Sequence, residues 1–194
     1  NGVSVASGSV SLNQNDTSSV YIGSYTGLAS ADNRYGGYVS NFRIVKGTAL
    51  YTSTFTPSTT PLTAVANTQL LTNQSNKFVD NSNNAFTITK SGEVAVSTVN
   101  PFGLNSGQSY YFDGTGDWLY ANSTQSQITT QFFTGDYTVE YWVYPGSYNT
   151  AATHTQIGNL KANTTASTGA TTVYGGASGT TLLVTGGAIR SEEH

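Results

Sequence analysis

Short segments in which apolar and polar residues alternate recur along this sequence, and no stretch carries apolar residues at helical spacing. Clusters of glycine, asparagine, serine and aspartate separate them, as turns separate the strands of an antiparallel sheet. We predict strands at residues 3–5, 20–23, 38–45, 86–89, 94–96, 137–144 and 181–184. Many short strands joined by turns indicate an all-β antiparallel sandwich or barrel.

The strongest predicted strand covers residues 137–144. Because side chains alternate between the two faces of a strand, its odd-numbered tyrosines and valines form one stripe, which we expect to face the core. The other face carries Thr138, Glu140, Trp142 and Tyr144. Two large aromatic side chains beside an acid are unusual on an outer face. Either a second layer covers this face, or it lines an exposed concave sheet.

Two stretches are expected to be irregular because they lack alternation. Residues 67–84 are rich in asparagine and serine, and residues 149–178 are mostly threonine, alanine, glycine and asparagine. We expect the second stretch to form loops or edge strands.

The composition excludes several functional classes. Charged residues make up 9% of the chain, the net charge is −3, and serine, threonine and asparagine together supply more than a third of the residues. Seven scattered basic residues cannot form the positive patch of a nucleic-acid-binding protein. No apolar run reaches the length of about 18 residues that membrane insertion needs. Since cysteine is absent, we expect neither a thiol nucleophile nor a cysteine-ligated zinc.

Two neighbouring segments are residues 111–119, YFDGTGDWL, and residues 135–145, GDYTVEYWVYP. They resemble the opening half of laminin-G-like domains, which belong to the concanavalin A-like lectin and glucanase group. Residues 1–8 and 37–51 resemble later strands of the same domain. The resemblance implies a jelly-roll sandwich. Residues 37–51 and 70–82 are also similar to large structural proteins of tailed phages, especially marine phages.

The two halves occur in rotated order relative to that family. Residues 1–66 resemble the closing half of the sandwich and residues 67–194 the opening half. Either the chain spans the junction of two tandem domains, or it is a permuted unit whose halves close on each other or on a neighbouring copy. Because an incomplete sandwich leaves strand edges unpaired, we expect a homo-oligomer or repeat neighbours joined through strand or sheet-edge contacts.

The acidic residues do not predict catalysis. Glycosidases need two carboxylates flanking one bond, whereas Glu140 stands alone on its predicted strand. Asp113 and Asp117 belong to a glycine-rich turn, where aspartate usually accepts hydrogen bonds from its own backbone. The two histidines, His154 and His194, lie in a predicted loop and at the terminus. We therefore expect a protein that is not an enzyme.

The family resemblance implies calcium as the one cofactor to consider. Residues 80–84, DNSNN, resemble a calcium-carrying turn of some relatives, although the family has glycine where this chain has Asn83. The candidate calcium ligands are Asp80, Asn81, Asn84, Asp113 and Asp117. The alternative interpretation is that residues 80–84 form an Asx-turn without metal.

Glycan binding would use aromatic side chains beside hydroxyl and amide groups. The candidates are Trp142, Tyr144, Trp118 and Tyr120. In the alternative interpretation, Trp142 packs beneath another element, while Trp118 and Tyr120 form cross-strand pairs.

We therefore expect a non-enzymatic structural and adhesion module of a phage fibre, virion surface or extracellular filament. It would act by protein–protein assembly, with a weak contact to cell-surface glycans as a further expected activity. The alternative is a carbohydrate-binding module of a secreted polysaccharide-acting enzyme. Either role implies an extracellular or virion-surface location.

Overall fold

The computed structural model of the chain describes residues 20–23, 35–103, 106–122, 136–146, 155–159, 172–175, 182–185 and 189–193. The predicted strand at residues 3–5, the whole resembling segment 1–8 and both histidines lie outside these ranges. Within them the chain forms β-strands and no helix. The part of the chain that the structure describes therefore has no helix that could cross a membrane.

Twelve strands make up this described structure. They are β1 (Val20–Ile22), β2 (Gly36–Lys46), β3 (Thr68–Thr72), β4 (Thr87–Ser91), β5 (Ala95–Ser97), β6 (Ser109–Asp113), β7 (Trp118–Asn122), β8 (Tyr137–Pro145), β9 (Thr155–Asn159), β10 (Thr172–Gly175), β11 (Leu182–Thr185) and β12 (Ile189–Glu193).

The strands form two sheets. The first sheet has the order β11-β10-β9-β1-β7-β4, and the second has the order β12-β8-β2-β6-β5, with β3 also paired to β2. Every described pairing is antiparallel except that of β12 with β8, which is parallel. The predicted all-β antiparallel sandwich is confirmed.

The core lies between the two sheets. Val20 and Leu119 enter it from the first sheet, and Ile44, Phe112 and Tyr141 enter it from the second. These side chains are at most 3% exposed, so the sheets shield each other's apolar faces from water, which is the main stabilising term of such a fold.

The alternation predicted for β8 is present. Val139, Tyr141 and Val143 point into the core, while Glu140 and Trp142 point to the outer face of the second sheet. The first alternative, a covering layer, applies to part of that outer face, and an exposed concave surface stays a prediction for the rest. A second layer covers its middle, and Tyr144 at the end of the strand is exposed.

Strand β2 changes partners at a bulge. Residues 36–39 pair with β6 and residues 42–45 pair with β3, while β8 lies along the other side of the strand. Between these two halves Asn41 adopts a φ of 54°, and the register against β8 shifts between Ser40 and Arg43. Strands from residues 1–66 and 67–194 therefore share one sheet. The proposed division at residue 66 and its relation to the family stay predictions.

The prediction that residues 67–84 are irregular is wrong for residues 68–72, which form β3. The alternation that marks a strand is missing because β3 carries buried apolar side chains on both of its faces. Leu70 faces the main core, whereas Leu71 packs on the outer face of the sheet. In the second stretch expected to be irregular, the described residues form β9 and β10.

Candidate functional site

A segment that we call the strap (residues 47–66) follows β2 and covers the middle of the outer face of the second sheet. The Gly47 N–H donates to the Asp136 carbonyl at 2.6 Å. The Leu50 N–H donates to Thr138 Oγ1 at 2.9 Å, and that hydroxyl donates to the Thr48 carbonyl at 3.1 Å. The start of the strap is therefore hydrogen-bonded to β8 and to Asp136, the residue before it.

An ion pair lies beneath the strap. The side chains of Arg43 and Glu140 are only 6% and 8% exposed, and Arg43 Nε donates to Glu140 Oε1 at 2.6 Å. Arg43 Nη1 donates to the Thr63 carbonyl at 2.7 Å, and the Tyr51 hydroxyl donates to Glu140 Oε2 at 2.6 Å. Both Glu140 oxygens therefore have partners. Burial, with the hydrogen bond to Glu140 as a second cause, raises the pKa of Tyr51 to about 12.

Trp142 belongs to a small apolar cluster beside this ion pair. It is 7% exposed and packs with Leu62 of the strap, Leu71 of β3 and Phe102. The Phe102 ring meets the indole edge to face at 5.2 Å between centroids. This arrangement corresponds to the interpretation in which Trp142 packs beneath another element, so most of its ring is covered by protein.

The part of this outer face beyond the strap is open and carries three tyrosines side by side, which we call the tyrosine ladder. Tyr38 of β2 is the register partner of Tyr111 on β6 and of Tyr144 on β8. The ring centroid of Tyr38 lies 5.0 Å from that of Tyr111 and 6.0 Å from that of Tyr144. Tyr111 is 38% exposed and Tyr144 is 55% exposed. The ladder is thus an aromatic surface that spans three strands.

Sequence reasoning identified only Tyr144 of this ladder. Tyr38 and Tyr111 occupy outward positions of alternating segments, so the sequence pattern indicates the face on which each side chain lies. Their proximity depends on the register of strands that are far apart in the chain, which no local pattern encodes.

A pocket of about 100 Å³ lies beside the ladder. Its lining comes from the second sheet and from the loop after β5; the residues are Tyr38, Ser40, Val99, Asn100, Pro101, Ser109, Trp142, Val143 and Tyr144. None of these residues is charged. The Ser109 hydroxyl is buried and has no hydrogen-bond partner. Trp142 and Tyr144, both predicted as glycan-binding residues, therefore meet at one site.

The Asn100 side chain holds the loop that forms one wall of this pocket. Its Oδ1 accepts the Phe102 N–H at 2.8 Å, and its Nδ2 is within hydrogen-bond distance of three carbonyls, those of Thr98, Gly103 and Gly107. Because one side chain bonds the loop at several points, the wall is ordered in advance of any ligand.

Trp118 and Tyr120 lie elsewhere. On β7 they alternate with Leu119 and Ala121, which enter the core, so their side chains point to the outer face of the first sheet. Tyr120 lies across from Tyr21 of β1, with ring centroids 6.1 Å apart. The structure thus places these two candidates on the opposite side of the sandwich from Trp142 and Tyr144.

Asp80, the leading calcium candidate, accepts four hydrogen bonds. Its Oδ1 accepts the N–H groups of Leu71 and Ser82, and its Oδ2 accepts the Phe86 N–H and the Ser82 hydroxyl, all at 2.8–3.0 Å. Asn81 donates its N–H to the Leu71 carbonyl, and Asn84 Nδ2 donates to the Gln69 carbonyl. These bonds are those of a turn closed by its own aspartate.

Asp113 and Asp117 also bond to the backbone. Asp117 is fully buried, and its two oxygens accept the N–H groups of Glu93 at 2.6 Å and Asp113 at 2.8 Å. Burial raises the pKa of the Asp117 carboxyl. Asp113 Oδ1 accepts the Thr115 N–H. Among the described residues, no three acidic or histidine side chains come together as metal ligands. The calcium site stays a prediction.

Comparison with known proteins returns no relative. No protein-family model matches this sequence, and neither a curated protein nor a solved structure matches it. The function is therefore argued from the site itself.

Proposed function

We propose that this protein is a non-enzymatic adhesion module that contacts neutral carbohydrate through the tyrosine ladder and the pocket beside it. The observation that carries this proposal is the alignment of Tyr111, Tyr38 and Tyr144 on three adjacent strands of an open sheet face. Tyrosine combines an apolar ring with a hydroxyl, which suits a ligand that has both C–H faces and hydroxyl groups.

The charge distribution supports a neutral ligand. Among the residues that the structure describes, no acidic or basic one lines the pocket, and the nearby pair of Arg43 and Glu140 is buried and neutralises itself. A charged sugar brought to this site would lose water without gaining a counter-ion, which is unfavourable.

The hydrogen bonds of the acidic side chains support a binding role rather than hydrolysis. Glu140 is bonded to Arg43 and Tyr51, while Asp80 and Asp117 accept N–H groups of the backbone. A glycosidase needs one carboxyl group to protonate the leaving oxygen and a second to act as base or nucleophile. These three carboxylates are instead engaged in holding the fold.

The proposal includes assembly into a phage fibre, virion surface or extracellular filament. It rests on the family resemblance and on the uncharged composition, since a surface with few charges packs with little dependence on salt. Strands β4 and β5 end their sheets in the described topology, so they offer edges to which a neighbouring copy could add. The alternative of a carbohydrate-binding module of a secreted enzyme uses the same ladder.

The test is a titration of neutral oligosaccharides from a glycan array hit, comparing wild type with Tyr144→Ala. A sugar that covers roughly 60 Å² of this ring gains about 1.5 kcal/mol, so the substitution should weaken binding about tenfold. The matched control is Tyr120→Ala, which removes a tyrosine of a similar ring pair from the first sheet and should leave affinity unchanged. Equal losses in both variants, or no glycan binding by the wild type, would refute the proposal.

A further inference from the structure

We propose that the pocket beside the tyrosine ladder takes the acetamido group of an N-acetylated amino sugar whose ring lies on the ladder. This inference rests on the proposed function and adds the class of sugar. It follows from the apolar walls of the pocket, its volume of about 100 Å³ and the buried, unpartnered hydroxyl of Ser109, one of its lining residues.

The pocket walls favour a methyl group over a hydroxyl. Val99, Pro101 and Trp142 supply apolar surface, and Val99 is 44% exposed, so covering it removes apolar area from water. A bare sugar hydroxyl placed against these side chains would give up hydrogen bonds to water without replacing them.

The Ser109 hydroxyl supplies the polar part of the recognition. Ser109 is 1% exposed, and its Oγ has no hydrogen-bond partner, which is uncommon for a buried polar atom. The other serine of the pocket is already engaged, because Ser40 Oγ donates to the Gln108 carbonyl at 2.7 Å. An amide carbonyl at this place would accept the Ser109 O–H while its methyl group contacts the walls.

The absence of charge from the lining separates the acetamido group from other substituents. A carboxylate or an ammonium group in this pocket would face no opposite charge among the lining residues. Burying an unpaired charge is much less favourable than burying a hydrogen-bonded amide. The pocket therefore discriminates against acidic sugars and against deacetylated amino sugars.

The experiment measures dissociation constants by NMR titration for the methyl glycosides of N-acetylglucosamine and N-acetylgalactosamine. Each is compared with its deacetylated amine and with the parent hexose. Wild type should bind at least one N-acetylated sugar about tenfold more tightly than its two counterparts, and saturation transfer should be strongest at the acetyl methyl protons.

Two variants locate this preference in the pocket. Ser109→Ala should weaken binding of the N-acetylated sugar about threefold to tenfold without changing hexose binding, since it removes one hydrogen bond to a neutral group. Val99→Phe should abolish the preference by filling the pocket from an exposed position. Val65→Phe is the matched control, because Val65 is a similarly exposed valine of the strap that does not line the pocket, and it should behave as wild type.

The outcomes separate this inference from the proposed function. If all sugars bind equally and Tyr144→Ala weakens them all, the pocket inference is overturned and the carbohydrate contact stands. If no sugar binds, both are overturned. If no sugar binds and sedimentation shows a wild-type dimer that Tyr144→Ala dissociates, the face is occupied by a second copy of the chain instead.

Discussion

The buried pair of Arg43 and Glu140 allows a stringent test of the covered sheet face. Replacing Glu140 with Gln retains the size of the side chain but removes its charge. Arg43, whose side chain is only 6% exposed, is then left without a counter-ion, and the hydrogen bond from Tyr51 loses its charged acceptor. Removing one partner of a buried ion pair typically destabilises a protein by about 3–5 kcal/mol, so we expect Glu140→Gln to lower the free energy of unfolding by about 3 kcal/mol.

The double variant Arg43→Met/Glu140→Leu separates the energy of the pair from the cost of leaving one charge alone. Because desolvation offsets most of the attraction in a buried pair, two apolar side chains of similar volume should restore stability to within about 1 kcal/mol of wild type. The double variant should therefore be at least about 2 kcal/mol more stable than Glu140→Gln.

Urea unfolding followed by tryptophan fluorescence measures these differences, since Trp142 lies beside the pair. The matched control is Glu93→Gln, the same exchange at an exposed glutamate, which should change stability by less than about 0.5 kcal/mol. A loss below about 1 kcal/mol for Glu140→Gln, or a double variant no more stable than Glu140→Gln, would refute the buried ion pair of Arg43 with Glu140.

Three further substitutions test other parts of the structure. Folding raises the pKa of Tyr51 from 10.0 to about 12, so the stability that the protonated phenol contributes is fully present below pH 10 and is lost as the pH rises towards 12. The urea midpoint of Tyr51→Phe should therefore drop less than that of wild type between about pH 9 and pH 11, and equal drops would contradict this. Asp80→Asn should lower the free energy of unfolding by about 2 kcal/mol with or without added calcium, because the Asp80 carboxylate accepts four hydrogen bonds. If calcium raised the melting temperature of wild type and this variant abolished the rise, the result would instead support a calcium site. Gly37→Ala should lower the free energy of unfolding, measured by chemical denaturation, by about 3 kcal/mol, since Gly37 has a φ of 138° and an added Cβ would lie 2.5 Å from the Tyr144 carbonyl oxygen. A loss below about 1 kcal/mol would contradict the close approach of β2 and β8 at this point.

The strands that could be predicted from the sequence are those whose two faces differ in polarity, even where the strap buries the outer face, as at Arg43 and Glu140. The alternation in residues 137–144 predicted both the position of β8 and which of its side chains point inward. The strand predicted at residues 38–45 lies within β2. In both, alternation records a difference between the two faces that the fold preserves. Strand β3 carries no such signal, because Leu70 and Leu71 are buried on opposite sides and the alternation is lost.

The candidate site was only partly predictable because it is assembled from distant residues. Ring contacts bring Tyr144 beside Tyr38, and a hydrogen bond joins residues 97 positions apart in the pair of Arg43 and Glu140. Such contacts depend on strand register and on the bulge at Asn41, whose side chain also accepts the Leu62 N–H of the strap at 2.6 Å. A local pattern can show that Trp142 points outward, but not that the strap covers it.

The most direct test of the central claim is an NMR titration of protein carrying ¹³C-labelled tyrosine rings with defined neutral oligosaccharides of glucose and of N-acetylglucosamine. If the open face of the second sheet is the binding surface, the resonances of Tyr38, Tyr111 and Tyr144 shift with one shared dissociation constant. The resonances of Tyr21 and Tyr120, on the first sheet, stay in place. Shifts confined to that second group, or no shift at any tyrosine, would contradict the account.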